Sequence, residues 1–101
     1  MQVTKTIIPA NSELARGIVI AKNFRAYAYN LKKRLAYYRE WQKSYNDNPC
    51  DTFKLCLDNA RHMALNEVAS LHRLISNMPE YVNHPDFIKA NSIAESIKAL
   101  A

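Results

Sequence analysis

The sequence predicts an all-α fold: a long antiparallel helical hairpin, a third and shorter C-terminal helix packed on it, and a short extended arm at the N-terminus. Three observations carry this expectation. A single glycine, Gly17, occurs in 101 residues, which almost excludes the positive-φ turns of a many-stranded sheet. Apolar residues recur in alternating steps of three and four over two long stretches, the period of one helix face. Asn and Pro cluster at 46–49, 77–79 and 83–85, where they would end one helix and start the next.

Residues 1–10 are the exception to helix. Val3, Thr4, Thr6, Ile7 and Ile8 favour extended backbone that stops at Pro9. A lone strand has no ladder partner within the chain, so this arm packs on the domain, trails as a tail, or pairs with another protein.

Helix 1 is expected over 12–45. Its seam reads Leu14, Gly17, Ala21, Phe24, Ala28, Leu31, Leu35, Tyr38, Gln42 and Tyr45, with Gln42 the polar intrusion. Such a helix is roughly 50 Å long at ~1.5 Å per residue, and Gly17 is the place where it could bend. Asn46, Asp47 and Asn48 break the pattern. Pro49 suits the first helical position after an Asn48 cap, and Asp51 suits the positive end of the dipole.

Helix 2 is expected over 49–77, with a seam of Phe53, Leu57, Ala60, Ala64, Glu67, Leu71, Leu74 and Met78. Two matching seams joined by a tight turn make an antiparallel pair. Helix 3 is expected over 85–100, with Phe87, Ala90, Ile93, Ala94, Ile97 and Leu100 on its apolar face. The whole chain, 1–101, is then one small domain; no repeat, low-complexity stretch or linker divides it.

Charge is distributed unevenly. The formal net charge is +5, yet residues 1–48 hold nine Lys or Arg against Glu13, Glu40 and Asp47, while residues 49–101 hold five against six acids. On a wheel of ~100° per residue, Lys22, Arg25, Lys32, Lys33, Arg39 and Lys43 gather opposite the seam of helix 1, with Tyr29 among them. A solvated outer face is the default for such a stripe. Against that default, Glu40 is the one acid available within the stripe, so the cations are not neutralised along their own helix.

A second line, Ile20, Tyr27, Arg34 and Trp41, advances by sevens beside the seam and is the expected seat of the third helix. Arg34 would stack on Tyr27, Tyr38 or Trp41, and would reach Glu67 on the facing helix as an interhelical ion pair.

Residues suited to bond-making chemistry are sparse. His62, His72 and His84 never stand at i, i+4, and no CxxC occurs, so no metal or cofactor is expected. Asp58 and His62 share a face, but that pair alone is a surface contact. Cys50 and Cys56 lie about 9 Å apart along a helix axis and point to different faces, so they are not expected to pair. Two reduced cysteines fit a cytosolic protein, and no apolar run is long enough to span a bilayer. One glycine cannot build a phosphate loop, and no paired carboxylates suggest acid and base roles, so catalysis is not expected.

The composition therefore points to binding. One reading is a regulatory or inhibitory protein that docks the basic, aromatic-rich helix on an acidic protein partner, such as nucleic-acid-processing machinery. Compact helical build of this kind is common among phage and plasmid accessory factors. A second reading is direct, sequence-nonspecific nucleic-acid binding, since neither a recognition helix nor a zinc finger is visible. A third is a homodimeric bundle with a structural role.

Overall fold

A computed structural model of the protein describes residues 13–100, with side chains from residue 15 onward. The expected N-terminal arm and the seam position at Leu14 lie outside the described side chains. The chain folds into α1 (Glu13–Asp47), α2 (Asp51–Asn77) and α3 (Pro85–Lys98), with a single 3₁₀ turn at Pro79–Tyr81 between α2 and α3. The all-α hairpin carrying a third packed helix is thus the observed architecture.

α1 stays helical through Gly17 and runs 35 residues without a break. A Cβ built at Gly17 would meet only the Tyr81 hydroxyl, at 3.9 Å, an ordinary van der Waals contact. Gly17→Ala is therefore expected to stabilise the domain by about 0.5–1 kcal/mol, by removing the excess backbone entropy of glycine in a helix. A thermal melt checks this, and a lowered midpoint would contradict it.

The turn differs in detail from the expected cap. The N–H of Asn48 still donates to the carbonyl of Ser44 at 2.9 Å, so Asn48 belongs to the end of α1. Cys50, in extended backbone and with no side-chain cap bond, is the N-cap of α2. Pro49 stands before the helix, not inside it, because the chain uses Asn48 and Pro49 to reverse direction. At the other junction Pro85 opens α3 as expected, and His84 is its cap: Nδ1 accepts from the Asp86 backbone N–H at 3.1 Å.

The seams pack as a three-helix core. Ile20, Phe24, Ala28, Leu31 and Leu35 of α1 meet Ala64, Val68 and Leu71 of α2 and Phe87, Ala90, Ala94 and Ile97 of α3. Phe24, Leu31, Leu71 and Ile97 are the largest side chains almost wholly removed from solvent. Alanines at 64, 90 and 94, all fully buried, let the backbones approach closely.

α3 runs parallel to α1, since Phe87 lies against Phe24 and Ile93 lies beside Ala28 and Lys32. Its 14 residues cover about 21 Å of a first helix about 52 Å long. Toward the turn the molecule is therefore a two-helix hairpin, closed by Tyr38, Ala60 and the Trp41–Phe53 ring contact at 5.8 Å.

The flank taken by α3 corrects the sequence expectation. It packs along the Arg25, Ala28, Tyr29 and Lys32 side of α1, not over Ile20, Tyr27, Arg34 and Trp41. A line advancing by sevens drifts about 20° per heptad on a straight helix. Ile20 accordingly starts in the core, while Tyr27, Arg34 and Trp41 are only half-buried, and Trp41 packs on α2 itself.

Candidate functional site

Because α1 is continuous, the ~100° step per residue holds over its length, and the predicted stripe forms a real surface. Lys22, Arg25, Tyr29, Lys32, Lys33, Arg39 and Lys43 are all exposed. They fall within about a third of the helix circumference and extend along about 32 Å of its axis. The seam, buried from Phe24 through Tyr38, is centred about 120° around the helix from the stripe and not directly opposite it, so α3 borders the stripe on its Arg25 and Lys32 edge.

Few of these cations are neutralised. Among the described residues the ion pairs are Arg25 to Asp86 at 3.2 Å, Lys98 to Glu95 at 3.3 Å, and the His84–Asp86 contact at 4.0 Å, which is an ion pair only if His84 is protonated. Lys22, Lys32, Lys33, Arg39 and Lys43 therefore have no carboxylate within 4.0 Å among them. The Arg25–Asp86 pair is solvent-exposed on the Arg25 side, so its own contribution is about 0–1 kcal/mol. It joins the first turn of α3 to the edge of the stripe.

Tyr29 is the exposed ring of the stripe, at 63% of its free surface. The Lys33 ammonium sits 5.2 Å from the centre of that ring, a cation–π contact that occupies one of its faces. Tyr37 is also exposed, but it meets Trp41 edge-on at 6.3 Å, and Trp41 is tied in turn to Phe53. The rings of α1 are thus largely engaged within the hairpin and do not form a free stacking row.

Where α3 meets the stripe there is a groove of about 300 Å³. Arg25, Ala28, Tyr29 and Lys32 line it from α1; Asp86, Lys89 and Ile93 line it from α3. Lys89 thereby extends the basic surface onto a second helix. Sequence reasoning missed Asp86, Lys89 and Ile93, because their membership depends on which flank of α1 the third helix takes. Their spacing of three and four placed them on one side of α3, but gave no partner for that side.

The proposed pair of Arg34 and Glu67 is not formed. Both side chains are half-buried, yet no ion pair or hydrogen bond joins them, and no ring contact is made by Arg34 among the described residues. The reason lies one residue along α2. Val68, only 4% exposed, takes the core position, and Glu67 stands about 100° away at the half-buried margin.

Among the described residues no group of three His, Cys, Asp or Glu side chains could hold a metal ion, and no helix is long and apolar enough to cross a membrane. Cys50 and Cys56 are free and half-buried. The His84 ring packs on Phe24 at 5.8 Å and Tyr81 at 6.3 Å, serving as a cap and as core. No protein-family model matches the chain, and neither the curated proteins nor the solved structures contain a match.

Proposed function

We propose that this is a non-enzymatic binding protein that docks the basic face of α1 on an acidic surface of a protein partner, and so modulates that partner. The charge suits a partner with an exposed carboxylate-rich patch, such as one on a nucleic-acid-processing protein away from the basic surface that holds its own polyanion. The observation that carries the reading is the row of five exposed cations without acidic partners among the described residues, set along one side of a continuous helix. Such a row creates a positive potential that steers an acidic surface into contact.

Two features favour a protein over nucleic acid. Tyr29 has one face covered by Lys33, and Tyr37 and Trp41 are engaged with one another, so single-stranded bases have little to stack on. A duplex major groove about 12 Å wide admits a lone helix, whereas α1 carries α3 along the very edge where Arg25 and Lys32 lie.

Salt separates the two readings. Binding that rests on phosphate neutralisation alone weakens steeply between about 50 and 200 mM salt, with a slope near −0.9 per contact on duplex DNA. Anisotropy titrations of a labelled Glu-rich peptide bearing one leucine, a generic DNA duplex and a single-stranded RNA should leave the peptide the tightest ligand at about 200 mM salt. Nucleic acid binding more tightly than the peptide under that condition would overturn the proposal in favour of direct nucleic-acid binding.

A further inference from the structure

The groove between α1 and α3 has a composition that a merely solvated basic face does not require. Ala28, Tyr29 and Ile93 give it an apolar lining, and Arg25, Lys32 and Lys89 line it with positive charge. The one acid present, Asp86, is held by Arg25 at 3.2 Å, which leaves the rim with excess positive charge contributed by both helices. At about 300 Å³ the groove lies at the small end of ligand pockets. That size accommodates one apolar side chain together with the groups that flank it.

We infer that this groove is the anchor point for an acidic peptide segment, taking one leucine-sized apolar side chain between α1 and α3 while flanking carboxylates meet Lys32 and Lys89. The inference rests on the acidic-partner reading and specifies it. Charge complementarity selects the occupant: an apolar residue alone would leave Lys32 and Lys89 unanswered, and a fully polar acidic stretch would leave the apolar lining hydrated. Docking of this kind follows the pattern of anchored segments, in which a few buried side chains give affinity and surrounding charges give orientation.

Lys98 provides an internal control. It is also on α3 and also exposed, but it pairs with Glu95 and does not line the groove. Lys89→Ala and Lys98→Ala change the net charge equally. With the labelled leucine-bearing Glu-rich peptide, Lys89→Ala should weaken binding about two- to fivefold and Lys98→Ala should leave it unchanged. Replacing the peptide's leucine with serine should cost about tenfold or more. In the methyl spectrum of the isoleucine-labelled protein, the leucine peptide should shift Ile93 and the serine peptide should not.

Equal effects of the two lysine variants, an unmoved Ile93 methyl, or equal affinity of the two peptides would overturn the groove while leaving charge-driven binding to the stripe intact. Failure of both peptides to bind at low salt would overturn the groove and the acidic-partner reading together.

Discussion

Phe24→Ala is expected to lower the stability of the domain by about 3–5 kcal/mol, the range for removing a fully buried phenylalanine ring from a packed core. Phe24 has no exposed surface. Its ring meets Phe87 edge-on at 5.5 Å, His84 at 5.8 Å and Tyr81 at 6.3 Å. One side chain of α1 thus touches the 3₁₀ turn, the cap of α3 and the first turn of α3.

The loss should be felt most strongly in the docking of α3, because the α1–α2 pair keeps Leu31, Leu35, Tyr38 and Leu71 in their buried places. A domain of this size is usually stable by about 5–15 kcal/mol, so the variant should sit near the edge of folding. Denaturant titration gives the measurement, with a reduced midpoint; a fall in melting temperature of more than about 10 °C should accompany it. A loss under about 1 kcal/mol would mean that α3 does not rest on Phe24 in solution.

Much of this architecture was legible because the seam of α1 is continuous. From Phe24 to Tyr38 the steps of four, three, four and three each land on a buried residue, and no competing period fits them. Pro79 and Pro85 mark the ends of the connection between α2 and α3 for a local reason, the missing N–H and fixed φ, which acts without any knowledge of the partner helix.

What failed did so where two helical steps were both admissible. After Ala64 the α2 seam could move three residues to Glu67 or four to Val68. The desolvation cost of a carboxylate selects valine, and that term could have been applied to the sequence. The side of α1 chosen by α3 was not legible in the same way. Both flanks of the seam offer apolar or amphipathic side chains, and the choice depends on how Phe87, His84 and Asp86 jointly meet Phe24 and Arg25. The groove, with its contribution from Lys89, follows from that choice, so it was beyond the reach of one-dimensional pattern.

The stripe itself is the part of the site that sequence and structure describe alike, and it can be reversed without disturbing the fold. Lys22 and Arg39 are the cleanest positions. Both are exposed, neither has a carboxylate partner among the described residues, and neither lines the groove. Arg25 is less suitable, because reversing it would set two carboxylates together at Asp86. Each reversal removes an attraction and adds a repulsion across the interface. Attenuated by salt over a screening length of about 10 Å, two reversals should weaken binding by about 10- to 100-fold.

The decisive comparison is therefore the affinity of the wild-type protein, of Lys22→Glu with Arg39→Glu, and of Lys54→Glu with Arg73→Glu for the same labelled Glu-rich peptide at about 50 mM salt. All four positions are exposed, and the two double variants carry the same net charge. Loss confined to the Lys22 and Arg39 variant, with an unchanged helical circular-dichroism spectrum, is the result expected if one face of α1 makes the contact. Equal loss in both double variants, or none in either, would contradict it.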